Sequence, residues 1–263
     1  MHTKNHNFMN IPNKRSSCFC FRALCFTLSA GAILTACSST TTSTGAVTTP
    51  LTNTRKSSWS AGSWKTLFDG KSADAWRIYG KQTLPEGWQV KEGTLALVSK
   101  GAGDIITRDA YENFELELEW KISEGGNSGI FYPVVEAPKY LNTYHKGPEI
   151  QILDNKRQPD AKAGKNGNRT AGSNYDLILA SQPSKPASAW NQVKLVINKG
   201  RVVHGLDGTK IVDYQLWSPE WEKMVAGSKF ANMSDYSKAK KGPIALQDHG
   251  DPVWFRNIGI RAL

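Results

Sequence analysis

The sequence predicts an all-β chain, a sandwich or barrel of short antiparallel strands with one short helix. Three observations predict it. Apolar and polar residues alternate with period two in several segments, which is the side-chain period of a strand. Asp-Gly and Glu-Gly pairs stand between such segments, where residues that tolerate positive φ can reverse the chain in a hairpin. Segments alternating between strand and helix, which would signal a parallel sheet, are missing.

The elements follow in order. Trp88-Gln89-Val90 and Thr94 to Val98 flank Glu92-Gly93 and read as a hairpin. Phe114, Leu116, Leu118 and Trp120 alternate with Glu115, Glu117, Glu119 and Lys121, giving a strand with one apolar face. Gly129 to Tyr132 and Pro148 to Leu153 are further strands. Residues 140–190 are otherwise irregular, polar and rich in Gly and Pro; such loops on a β scaffold commonly wall a binding site. Val193, Leu195 and Ile197 alternate, and Arg201 to Leu206 with Lys210 to Tyr214 flank Asp207-Gly208. Pro219 to Phe230 reads as the helix, with Trp221, Met224 and Val225 on one face. Pro243 to Gln247 and Trp254 to Ile260 bring the strands to about a dozen.

The first 62 residues are of another kind. Residues 1–22 carry Lys4, Lys14, Arg15 and Arg22, and an apolar run from Ala23 to Ile33 leads into Leu34-Thr35-Ala36-Cys37. A basic start, a short apolar core and small residues describe a secretory signal. The run is too short to span a bilayer, which needs about 20 residues. Leu-Thr-Ala-Cys resembles the bacterial lipobox, which implies cleavage before Cys37 and its lipidation. Ser38 rather than Asp follows it, which in Gram-negative bacteria favours the outer membrane, on either its periplasmic or its surface face. Residues 1–36 are thus expected to be a lipoprotein signal peptide and residues 37–62, rich in Ser and Thr, a flexible tether. The folded domain is expected over residues 63–263.

That division explains the charge. The 263 residues carry a formal net charge of +10, which taken whole suggests a nucleic-acid partner. Four of the cations belong to the signal and two, Arg55 and Lys56, to the tether. From Ser63 onward 27 basic residues face 23 acidic ones, a net of +4. The only dense basic cluster there is Lys238, Lys240 and Lys241. Nucleic acid is therefore not an expected partner; the membrane is, through the anchor. All four cysteines lie at or before Cys37, so the domain has no cysteine nucleophile, zinc–thiolate site or disulfide.

Three groups of residues could carry chemistry. Glu115, Glu117 and Glu119 share one face of a strand with successive carboxylates about 6–7 Å apart. That spacing is compatible with a carboxylate pair, and equally with a solvated outer face. Glu119 is the strongest candidate of the three, because Asn127-Ser128-Gly129 follows closely. Glu149 and Gln151 share a face within Pro148 to Leu153, a carboxylate and an amide suited to hydroxyl groups. Gln247 and His249 lie in Leu246-Gln247-Asp248-His249-Gly250-Asp251. A histidine is a natural general base near neutral pH, and a hydrogen-bonded structural role is the alternative. His145 and His204 are weaker candidates. Phosphate loops, Gly-x-Ser-x-Gly and dinucleotide fingerprints are missing. Tryptophans and tyrosines beside amides suggest a carbohydrate ligand.

These residues also carry a resemblance. Trp64-Lys65-Thr66-Leu67-Phe68-Asp69-Gly70-Lys71, Asn127 to Tyr132, Gly147-Pro148-Glu149 through Asp154, Tyr175-Asp176-Leu177-Ile178, Trp190-Asn191 and Ala245 through Ile258 together resemble the 3-keto-disaccharide hydrolase (DUF1080) family. The resemblance implies a concanavalin A-like jelly roll of two curved antiparallel sheets with a concave ligand face. It also implies action on glycosides whose C3 hydroxyl has been oxidised to a ketone. Such a ketone acidifies the C2 proton, so a base can start an elimination that hydration completes. On this reading His249, Glu119 and Glu149 are the candidate catalytic residues, and Asn127, Gln151, Asp154, Tyr175 and Gln247 the candidate substrate-binding residues. A divalent metal ion is a candidate to polarise the ketone. Gly205, in His204-Gly205-Leu206-Asp207-Gly208, stands where the family pattern has Trp and removes an aromatic surface from that hairpin. Two other readings of the residues are a non-catalytic lectin-like module and a conventional two-carboxylate glycosidase. The latter fits less well, because Glu-x-Glu-x-Glu lacks the Asp and bulge spacing of concanavalin-like glucanases.

Overall fold

The computed structural model describes residues 62–140 and 142–263; the expected signal, lipidation site Cys37 and most of the tether lie outside them. Among the described residues thirteen strands form two antiparallel sheets. In chain order they are β1 (Lys65–Phe68), β2 (Trp76–Ile78), β3 (Trp88–Lys91), β4 (Thr94–Leu97), β5 (Ile105–Thr107), β6 (Phe114–Ile122), β7 (Asn127–Phe131), β8 (Glu149–Leu153), β9 (Asn191–Asn198), β10 (Arg201–Leu206), β11 (Thr209–Gln215), β12 (Ala245–Leu246) and β13 (Val253–Ala262). The larger sheet runs β11-β10-β9-β6-β13-β4-β3 with β1 added alongside β13, and the smaller runs β2-β5-β12-β7-β8. This is the all-β jelly-roll sandwich the resemblance implies. Among the described residues no helix is long and apolar enough to cross a membrane.

Local chemistry sets the turns. Asp207 and Gly208 (φ 47° and 80°) close β10 onto β11, and Glu92 and Gly93 (φ 51° and 71°) close β3 onto β4. The helix α1 (Pro219–Ala226) starts at Ser218, whose side chain accepts a hydrogen bond from the Trp221 amide, and has Pro at its first position. It stops at Gly227, short of the expected Phe230, because the Gly227 amide closes onto the last carbonyls of the helix.

The inner faces of the two sheets meet in one core. Phe114, Leu116, Leu118, Trp120 and Ile122 of β6 pack there with Ile130 of β7, Ile150 and Ile152 of β8, Leu195 of β9 and Phe255 of β13. Glu115, Glu117 and Glu119 consequently project from the outer face of the larger sheet. The smaller sheet has polar residues on its own outer face, Asn127 from β7 and Glu149 and Gln151 from β8, with Gly129 between them. The register aligns Gly129 with Gln151 and Phe131 with Glu149.

One buried polar chain crosses the core. His204 of β10 is fully buried, its Nδ1–H donating to the Gly172 carbonyl (3.2 Å) and its Nε2 accepting from the Tyr132 hydroxyl. The Tyr132 oxygen in turn accepts from the Tyr214 hydroxyl at 3.2 Å. Burial, only partly opposed by the Gly172 carbonyl, lowers the His204 pKa to about 4, so it is a neutral structural histidine.

Candidate functional site

A cavity of about 390 Å³ opens over the outer face of the smaller sheet. Its floor is Asn127, Glu149, Gln151 and Gln247, and its walls include Asp104, Asn142, Tyr144, Asp160, Tyr175, Lys229, Asp248 and His249. Strand pairing accounts for the floor. Glu149 and Gln151 are two residues apart on β8 and point the same way. Gln247 continues β12, its amide bonded to the Gly129 carbonyl at 3.0 Å. Asn142, Tyr144, Asp160 and Tyr175 come from the irregular stretch 140–190, which does wall the cavity.

Glu149 is 7% exposed and among the described residues its carboxyl accepts no hydrogen bond, so burial raises its pKa well above the usual carboxylate range. The Lys229 cation opposes that shift without reversing it, and Asp104 and Asp160 add to it. The carboxyl group lies directly over Gly129: a Cβ built there would stand 2.1 Å from Glu149 Oε1. Glycine is needed at this position for close approach rather than for an unusual φ.

The loop carrying His249 is clasped at several points. Asp248 Oδ2 accepts from the Gly103 amide (2.9 Å) and Asp248 Oδ1 from the Gly250 amide (2.8 Å). In return the Asp248 amide donates to Asp104 Oδ1 at 2.9 Å. Ser128 Oγ donates to the Gln247 carbonyl (2.9 Å), and Asp251 Oδ2 accepts from the Asn127 amide (3.0 Å). His249 therefore stands exposed at the rim on a loop tied to β7 and to the turn before β5. Asp104 has its pKa raised by burial, against the hydrogen bonds from Thr143 and the Asp248 amide.

Two floor amides are incompletely satisfied. Asn127 Oδ1 and Gln247 Oε1 are buried without a hydrogen-bond partner. An unpaired buried acceptor costs about 1–3 kcal/mol, and both line the cavity, where a hydroxyl donor could satisfy them.

Of the sequence candidates, Glu149, His249, Asn127, Gln151, Tyr175 and Gln247 come together here. Two do not. Glu119 lies on the outer face of the other sheet, where Arg256 (Nη2 to Oε2, 2.6 Å) and Asn257 (Nδ2 to Oε1, 2.7 Å) hold it. Burial raises its pKa, but these two partners outweigh that and leave it lowered. Its neighbours Glu115 and Glu117 share Lys194, each at 2.6 Å. Asp154 is a turn cap, accepting from the amides of Gly125 (2.9 Å) and Lys156 (3.0 Å). Gly205 lines a separate pocket of about 410 Å³ on the outer face of the larger sheet beside Glu117, Val196 and Val203, so the tryptophan missing from that hairpin takes nothing from the Glu149 cavity.

The metal expectation finds no fitting donor set. Among the described residues no three His, Cys, Asp or Glu side chains are grouped to hold a metal ion. In the cavity both oxygens of Asp104 and both of Asp248 already accept hydrogen bonds from the protein, and burial disfavours the charged form of Glu149.

A buried acid, a rim histidine and unsatisfied amides over one sheet of a jelly roll define a carbohydrate-processing site. The comparisons agree. Residues 63–261 match the family described as the 3-keto-alpha-glucoside-1,2-lyase-like domain, and the chain belongs to that family. It is 40% identical to a 3-keto-disaccharide hydrolase of Bacteroides thetaiotaomicron, across 75% of this chain and 78% of that one. Two crystal structures from Parabacteroides distasonis, described as candidate glycosyl hydrolases, superpose on it. One is 33% identical with a TM-score of 0.70 and covers 77% of this chain and 94% of its own. The other is 30% identical with a TM-score of 0.60 and covers 77% and 100%. The protein is a glycoside-processing enzyme.

Proposed function

We propose that the cavity cleaves 3-keto-glycosides or 3-keto-disaccharides by elimination and hydration. The observation that carries this is that the buried acid Glu149 and His249 line one cavity with unsatisfied hydroxyl-seeking amides. His249 takes the C2 proton. The C–H electron pair moves towards the C3 carbonyl, then forms a C1–C2 double bond as the C1–O bond breaks. Glu149, protonated because it is buried, gives its proton to the departing aglycone oxygen. Water then adds back, hydroxyl to C1 and proton to C2, so the net reaction is hydrolysis. Asn127 and Gln247 accept from sugar hydroxyls, and Gln151 and Tyr175 complete the binding surface. Glu119 and Asp154 have no part in this scheme.

The lipobox-like sequence ending in Cys37 supports an acylated protein tethered to the outer membrane of a Gram-negative envelope, placing the enzyme where exported or imported glycosides pass.

The test is turnover of a 3-keto disaccharide beside its unoxidised parent, with and without chelator. The keto substrate should be cleaved, the parent should not, and His249→Ala should abolish cleavage. Turnover of the parent alone would overturn the proposal, and loss of activity with chelator would overturn the metal-free donor assignment.

A further inference from the structure

The elimination leaves one charge unaccounted for: when the C2 proton departs, negative charge collects on the C3 oxygen. Among the cavity-lining residues only Lys229 is a lysine or arginine. Its placement is well determined. Trp221 of α1 stacks on Tyr214 (4.9 Å between centroids), and the adjoining Phe230 stacks on Tyr236 (4.0 Å). Between these anchors the Lys229 amide donates to Asp176 Oδ2 at 2.9 Å. The side chain crosses the face of Tyr175, with Nζ 3.9 Å from the ring centroid.

The carboxylates around this lysine are otherwise engaged. Arg169 takes Asp176 at 2.7 Å and Asp160 at 2.9 Å, and burial disfavours the charged form of Glu149. Among the described residues Lys229 makes no ion pair, unlike Lys146, Lys185 and Lys194. The ammonium instead lies on an aromatic face, attracted by the ring's negative π surface, at the wall of the cavity. Lys229 is exposed as a residue; burial around its ammonium lowers its pKa, against a Glu149 carboxylate that raises it, and from the cavity wall the group can reach a bound sugar, where a positioned cation stabilises developing negative charge.

We propose that Lys229 is a catalytic residue that donates to the sugar's C3 oxygen and stabilises the enolate formed on C2 proton removal. This rests on the 3-keto reading above. It completes the set of roles: His249 as base, Glu149 as acid, Lys229 as the electrophile that a bound cation would otherwise supply.

The experiment measures kcat, KM and the pH profile of the wild-type protein, Lys229→Met and Lys229→Arg on a 3-keto disaccharide, with thermal unfolding of each. Lys229→Met should lose about 10²–10³-fold, as removal of one oxyanion donor does, mostly in kcat, with unfolding little changed. Lys229→Arg should keep part of the rate, and the alkaline fall of the wild-type profile should move to higher pH, because arginine does not deprotonate. Wild-type turnover matched by Lys229→Met would overturn this proposal alone. A loss confined to KM would make Lys229 a ground-state binding residue and also overturn it. A wild-type protein inert on the keto substrate would overturn the 3-keto reading and this proposal with it.

Discussion

Gly129→Ala tests the seat of the acid with the smallest possible perturbation. The added Cβ would stand 2.1 Å from Glu149 Oε1, 2.9 Å from Cδ and 3.0 Å from Cγ, and real Cβ atoms essentially never come under 3.0 Å. The carboxyl oxygen must therefore retreat by about 0.9 Å, the difference between those two distances. β7 cannot yield easily, since its neighbours β8 and β12 pair it on both sides. Displacing a reacting group by about 1 Å costs on the order of 100-fold in rate. The displaced atoms end a flexible side chain beside the open cavity, so the change in stability should be small. The assay is kcat/KM on a 3-keto disaccharide, with urea unfolding in parallel. A loss near 100-fold is expected. Glu149→Gln at native Gly129 should lose at least as much, because it removes the proton donor and leaves the fold. Full activity in Gly129→Ala with unchanged stability would refute the claim that the Glu149 carboxyl works from this seat.

Other outcomes follow from the same contacts. Glu119→Gln should leave turnover unchanged and cost at most about 1 kcal/mol, since its partner Arg256 is 38% exposed and such pairs are weak; a large loss of turnover would return Glu119 to the site. The buried His204 should make the fold acid-sensitive. Its folded pKa of about 4 lies below the 6.5 of an ordinary histidine, so between those values the unfolded chain binds the extra proton. Its contribution is intact above pH 6.5 and is lost as pH falls towards 4, about 3 kcal/mol in all. Urea unfolding of wild type and His204→Gln at pH 7 and pH 4.5 checks this: the wild type should lose more over the interval, and parallel losses would refute it.

Much of the fold was legible because one-sided strands advertise themselves. β6, β9 and the β10–β11 hairpin were plain from alternation and from Asp207-Gly208. β5 was not: Ile105, Ile106 and Thr107 are buried on both faces and show no alternation. β2, three residues long, offered too little pattern. The helix's apolar stripe does not record where Gly227 closes the last turn after Ala226. For the site, strand periodicity showed which residues share a face and hence paired Glu149 with Gln151. It could not show whether that face is solvent or cavity, and so it placed Glu119 beside them when Glu119 projects from the other sheet. Asp104 and Lys229 are single charges in loops and Asp160 one in a short 3-10 turn, with no local pattern; only the fold brings them together. Asp154 follows its strand closely enough to look like part of it, but its oxygens are spent on the turn.

The central claim is that the bond is broken after loss of the C2 proton, within the Glu149–His249 cavity. A 3-keto disaccharide carrying deuterium at C2 tests it most directly, by comparison of kcat/KM with the unlabelled substrate. A primary isotope effect, with turnover abolished in His249→Ala, is expected. Cleavage at the same rate for both substrates, with His249→Ala still active, would mean that the bond breaks without proton removal at C2 and would contradict the account.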